Sequence, residues 1–233
     1  MFTEINKKNL SDEVASQIIT RIISGELIPG EKLPPEREIS EKMRVNRHTL
    51  REAMRKIESL GLLSVRQGDG IYIKDYRDSG NLELLKHIIY RKKDKTPGVF
   101  KDILEIRRII SPEMAEKAAL FRTDADITAI KMIINSPGSL IEKDLAIHQA
   151  IAKAGDNIFY LFVLNFFNDI FKDFGHLYFS VEENRKVTVK FHTDITKAII
   201  SCDGKSAKKI MNEILVYAEK KILTYLERKD DTI

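Results

Sequence analysis

The chain has 233 residues, enough for one large domain or two modest ones, and its 43% hydrophobic and 32% charged residues exclude a disordered or fibrous protein. Its net charge is only +4, so affinity for nucleic acid has to come from how charge is distributed rather than from its total. No apolar run is long enough to span a bilayer and the single Cys202 cannot form an internal disulfide, which together predict a cytoplasmic protein with no membrane partner.

From the N-terminus, Ser11–Ser24 reads as a helix, with Val14, Ile18, Ile22 and Ile23 at helical spacing and Ser11 suited to an N-cap. Pro29, Gly30, Pro34 and Pro35 break it. Pro35 suits a first helical turn, and a short helix of about Glu36–Lys42 follows, with Ile39 and Met43 inward. After a tight link the next helix runs over about Arg47–Leu60, with Asn46 as its cap and Gly61 as its C-terminal stop. Leu62–Arg66 and Gly70–Lys74 alternate as strands around Gln67-Gly68-Asp69-Gly70, a hairpin signal.

Three helices and a hairpin in this order are the layout of a winged helix-turn-helix. The stretch VNRHTLREAM fits its reading helix. Asn46, Arg47, His48, Thr49 and Arg51 place five hydrogen-bonding side chains at its start, and Leu50, Ala53, Met54 and Ile57 then turn to a core. A helix whose first turn enters the major groove needs that division. Between Lys42 and Arg66 there are seven basic residues against two acidic ones, a local excess that acids elsewhere cancel in the total. A charged, solvated helix face would show the same local excess.

After Tyr76, RDSGN reads as a polar linker, which divides the chain into a winged helix-turn-helix over 1–76 and a second domain over 77–233. The second domain is all helical, over about 81–92, 99–121, 124–135, 139–154, 158–179, 185–201 and 204–228, with Pro112 expected to kink the second of these. The fold class is therefore mainly α. The segment 157–179 holds seven of the eleven Phe, a pattern of core, cavity lining or subunit interface; its Asn, Asp and Lys residues argue against a membrane helix. Asp144 and His148 lie four apart on one helix face, and His192 opens another helical region. Asp and His suit a divalent metal such as zinc, nickel or manganese, although a lone i,i+4 pair is more often a surface or core-edge contact.

PGEKLPPEREISEKMRVNRHTLREAMRKIESLGLLSVRQGDGIYI resembles the DNA-binding domain of the GntR family of bacterial regulators, over about Glu13–Ile73. The resemblance implies that Arg37 contacts the backbone or groove, that Asn46, Arg47 and Arg51 contact bases and phosphates, and that Gln67 and Gly68 place the wing tip in the minor groove. Asn46 and His48 stand where the family often has Ser or Thr. Asp69, between two glycines, is expected to fix the turn rather than meet a phosphate.

Asp144-Leu-Ala-Ile-His148, Asp156-Asn157, Phe191-His192 and Asp203 with Ala207 resemble the effector domain of the FadR-type (FCD) members. That domain is a helical bundle binding small carboxylates, often beside a metal held by one Asp and three His. The resemblance implies Arg107, Asp144, His148 and His192 as the effector-binding set, and Asp144, His148 and His192 as ligands of a divalent metal. A fourth His would be expected near 214; Ile214 stands there and continues the apolar stripe of Ala207, Ile210, Met211, Ala218 and Ile222. Ser111 replaces an expected Glu. A three-ligand site completed by water or the effector carboxylate, or a polar pocket without metal, are both compatible with this set.

The expected function is a ligand-responsive transcription regulator, a repressor, that binds a palindromic double-stranded DNA operator as a homodimer and responds to a small carboxylate. Two other classes were weighed: an effector-independent architectural DNA-binding dimer, and a hydrolase using a metal on Asp144, His148 and His192. The hydrolase lacks a nucleophile elbow, phosphate loop or catalytic carboxylate pair. His87 and His176 have no partner at ligand spacing and read as surface histidines.

Overall fold

The computed structural model describes residues 10–89 and 97–230. These fall into two compact units, Met1–Lys95 and Thr96–Ile233.

The first unit contains α1 (Leu10–Ile23), α2 (Glu36–Met43), α3 (Arg47–Ser59), β1 (Leu63–Arg66), β2 (Gly70–Ile73), α4 (Tyr76–Ser79) and α5 (Leu82–Ile89). The helical stripes of α1 and α3 face each other, and Leu50, Ala53 and Ile57 are completely buried between them. Ile39 and Met43 pack on this core from α2, as their spacing predicted. β1 and β2 pair antiparallel from Leu63↔Ile73 to Arg66↔Gly70. The segment before α2 adds to the hairpin edge: Ile73 N–H donates to the Glu31 carbonyl at 2.9 Å and Leu33 N–H to that of Ile71 at 2.8 Å.

Two local expectations are corrected. Ser11 is not a cap but lies buried inside α1, where its hydroxyl accepts from Lys56 Nζ at 2.7 Å. The stretch after Tyr76 is not a free linker. Asp75 caps the single turn α4 by accepting from Arg77 N–H at 2.9 Å; Ser79 Oγ donates to the Gly61 carbonyl at 2.7 Å, and Asn81 Nδ2 to that of Ser59 at 2.8 Å. Leu84 of α5 is then buried in the core of the first unit. Apolar packing, not the polar composition of RDSGN, decides where these residues go. The last part of the helix predicted over 81–92, residues 90–92, lies outside the described residues.

The second unit contains α6 (Pro97–Phe121), α7 (Asp124–Asn135), α8 (Leu140–Ala154), α9 (Ile158–Phe179), α10 (Glu182–Ile200) and α11 (Gly204–Asp230). Thr123 and Ser139 start α7 and α8 with reciprocal capping boxes, closed by Asp126 and Glu142. α6 runs unbroken through Pro112. Its face of Ala115, Ala118 and Ala119 has little side chain to interpose, so α11 packs closely along it. Ile147, Ile151, Ile195, Ile199 and Met211 complete the core, and Ile214 joins them at 8% exposure, as its stripe predicted. The Phe-rich α9 is divided: Leu164, Phe167 and Ile170 are buried, whereas Phe159 and Phe162 are 73% and 61% exposed. Among the described residues no helix is long and apolar enough to cross a membrane.

Candidate functional site

In the first unit the candidate nucleic-acid residues gather at the start of α3, on α2 and at the hairpin tip. Asn46 caps α3: its Oδ1 accepts from Thr49 N–H at 2.8 Å, which leaves only its amide N–H groups for an outside partner. Arg47 and His48 are exposed beside it and Thr49 is half-buried. Arg47, Arg51 and Arg55 repeat at i,i+4 on one exposed face. Arg51 Nε donates to Glu36 Oε2 at 2.8 Å, across to the first turn of α2. Arg37 Nε bonds Glu41 on its own helix at 2.9 Å. Arg44, Arg47 and Arg55 make no ion pair among the described residues.

Gln67 and Gly68 are exposed at the hairpin tip, and Gly68 has φ +77, a conformation that a side chain there would strain. Asp69 fixes the turn by accepting from Lys32 Nζ at 2.8 Å and from Tyr72 Oη at 2.7 Å. Lys32 holds the Asp69 carboxyl below the usual range, and Asp69 in turn raises the Lys32 ammonium. Arg66 lies over the Tyr72 ring, 4.2 Å from its centroid. The hairpin tip is thus held by a cluster of ion pair and ring contacts rather than by the turn alone.

In the second unit, α6, α8 and α10 bring Arg107, Asp144, His148 and His192 together. His192 Nε2 lies 2.9 Å from Asp144 Oδ1, and His148 Nε2 lies 3.9 Å from Asp144 Oδ2. Arg107 is 4% exposed, its Nε has no hydrogen-bond partner, and its guanidinium lies 4.1 Å from the centroid of the Phe171 ring. Burial lowers the Arg107 pKa to about 10 against the opposing pull of Asp144. The group stays cationic near neutral pH. Burial also pushes His148 down to about 3, with Asp144 opposing and Arg107 and His192 assisting, so His148 is a neutral imidazole. Desolvation raises the Asp144 carboxyl, but His148, His192 and Arg107 outweigh it and hold the carboxyl below its ordinary value.

These groups border a small enclosed space of about 30 Å³, room for roughly one water. Phe171, Tyr178 and Ile222 also line an adjoining, largely apolar cavity of about 240 Å³. Sequence reasoning missed Phe171 and Tyr178 because the aromatic run containing them read as core. Ser111, one turn from Arg107, is 1% exposed with an unpartnered hydroxyl. Among the described residues no set of three or more His, Cys, Asp and Glu side chains surrounds a common point as a metal cage does. His87 and His176 are exposed, as expected.

Comparison with known proteins agrees with both units. Residues 10–73 match the family described as bacterial regulatory proteins, gntR family, and residues 74–229 match the FadR C-terminal domain. The Uxu operon transcriptional regulator of Escherichia coli is 31% identical over 91% of this chain and 86% of that protein. The regulator LutR of Bacillus subtilis is 28% identical over 88% and 98%. Mce2R of Mycobacterium tuberculosis is 37% identical, but the match spans about half of each chain, 49% and 48%. The structure of Lar, which controls expression of the Listeria monocytogenes agr system, aligns with a TM-score of 0.56 over 94% of this chain and 98% of that one; at 16% identity it shows the shared fold alone. The chain belongs to the gntR family of bacterial regulatory proteins with a FadR-type C-terminal domain, a family of transcriptional regulators rather than of enzymes.

Proposed function

We propose that the protein is a cytoplasmic repressor that reads a palindromic operator as a homodimer and changes its DNA affinity when a small carboxylate binds at Arg107. In this reading the first turn of α3 lies in the major groove, with Asn46, Arg47, His48, Thr49 and Arg51 toward base edges and phosphates. Arg37 meets the backbone, and Gln67 and Gly68 enter the minor groove. A single reading helix covers only a few base pairs, so a two-fold pair supplies the length an operator needs.

The observation that carries the effector assignment is the buried Arg107 guanidinium with its Nε unpartnered. A buried cation with open donors is costly unless an anion completes it, and a guanidinium fits a carboxylate by two parallel bonds. The space beside it holds about one water, so a carboxylate enters only if Phe171 and Tyr178 give way and the adjoining cavity joins it. That displacement is the means by which ligand binding changes the packing of α9. The test is thermal melting of the whole chain with a panel of small mono- and dicarboxylates, comparing wild type with Arg107→Met. A carboxylate that stabilises wild type and not the variant supports the reading; equal stabilisation of both refutes it.

A divalent metal is a second element of the proposal. It would take Asp144, His148 and His192 as ligands. The supporting observation is that both Nε2 atoms face the Asp144 carboxylate and His148 is already neutral, as a ligand must be. Asp144 would have to give up its hydrogen bond with His192, and the metal would supply Lewis acidity toward the effector carboxylate. Elemental analysis and calorimetry with zinc, nickel and manganese on wild type and Ile214→His test this. No binding by either protein would remove the metal.

A further inference from the structure

We infer that Glu36 is a positioning residue for base recognition: its carboxylate fixes Arg51 by the Nε–H, so that the two terminal amino groups face outward as a pair toward a guanine. The inference rests on the DNA-reading proposal above.

Glu36 is the first residue of α2, where a carboxylate is favoured simply by the positive end of the helix. Pro35 before it gives no side-chain cap, so a Glu36 serving only α2 would be expected to stay with its own first turn. It crosses to α3 instead and accepts from Arg51 Nε at 2.8 Å. The Glu36 side chain is 31% exposed and that of Arg51 61% exposed, so the carboxylate is the sheltered partner and the guanidinium tip is free. The neighbouring pairs differ. Arg37–Glu41 and Lys42–Glu38 lie within α2, spaced four apart, with exposed partners, and such pairs fix little.

A guanidinium carries five N–H donors in a rigid plane. With Nε–H held, the outer edge of Nη1 and Nη2 remains, and that edge matches guanine O6 and N7. Arg51 lies one turn after Arg47, on the face carrying the other candidate contacts. The same carboxylate repels DNA phosphates, so it lowers affinity for every sequence alike. Glu36 therefore favours selectivity at the expense of general affinity, and the two effects separate on substitution.

The experiment selects binding sites for the full chain from a random duplex DNA pool, with wild type, Glu36→Gln, Glu38→Gln and Arg51→Lys. It then measures affinity for the selected duplex and its single-base variants by fluorescence anisotropy at one salt concentration. Glu38→Gln removes the same charge from the same helix and is the electrostatic control. Arg51→Lys keeps the charge and loses the paired donors. We expect Arg51→Lys and Glu36→Gln to lose preference at the same base pair, by about tenfold. Glu36→Gln should bind unselected DNA more tightly than wild type, Glu38→Gln should keep the wild-type preference, and the double variant should match Arg51→Lys. If Glu36→Gln keeps full preference at the base pair that Arg51→Lys flattens, or loses it evenly at every position, the inference is overturned. A wild type that selects no sequence at all would overturn the DNA reading itself, and the inference with it.

Discussion

Arg107 is the residue whose environment departs furthest from what its chemistry prefers. It is a cation at 4% exposure, with an aromatic ring at its face and no partner for its Nε. Burying a charge this way costs stability, and replacing such groups by apolar ones of similar size is often neutral or stabilising. Arg107→Met is therefore predicted to melt within about 1 kcal/mol of wild type or above it, while losing any carboxylate-induced stabilisation. A large destabilisation in calorimetry would mean that Arg107 holds the fold rather than waits for a ligand. The sequence showed Arg107, Asp144, His148 and His192 through the family pattern and the i,i+4 spacing. It did not show that Phe171 faces Arg107, because a Phe inside an aromatic run has the same periodicity whether it packs in a core or under a cation. Ile214 was legible, since an apolar residue in an apolar helix stripe has one economical place to go. Ile214→His is expected to introduce or tighten divalent-metal binding, read by calorimetry, if the imidazole reaches the Asp144 carboxylate.

At the scale of elements, the reading helix and the hairpin were legible because their signals are local: apolar spacing, a cap and glycines. The turn α4 and the placement of α5 were not, because both depend on contacts distant in sequence. Gly61 links the two. It has φ +81, and a Cβ there would meet the Ser79 carbonyl oxygen at 1.9 Å. Gly61→Ala is predicted to destabilise the first unit by about 2 kcal/mol or more, in thermal or urea unfolding, by straining the backbone and displacing α4. The hairpin tip carries a pH prediction. Asp69 has a folded pKa below its ordinary value, so its contribution is present above about pH 4 and is lost as pH falls through the lowered value. Lys32 is shifted upward, so its contribution is present below about pH 10 and is lost above. Amide exchange at Ile71 and Tyr72 should therefore be protected from about pH 5 to 9 and speed up as acid is approached. In Asp69→Asn that acid step should disappear; an unchanged step would show that Asp69 does not pin the tip.

At the scale of the whole molecule, a reader of a few base pairs and a carboxylate pocket make a regulator only if the two are coupled. Reciprocal coupling of about 1–3 kcal/mol, five- to 150-fold in affinity, is the ordinary range for such proteins. Assembly comes first: the full chain is predicted to sediment as a dimer at micromolar concentration, and a monomer there would remove the two-fold operator. The most direct test is a DNA titration. Fluorescence anisotropy would measure the affinity of the full chain for the duplex it selects, with and without the carboxylate that stabilises it. The account predicts a change of at least fivefold in wild type and none in Arg107→Met. The same DNA affinity in wild type with and without that carboxylate would contradict it.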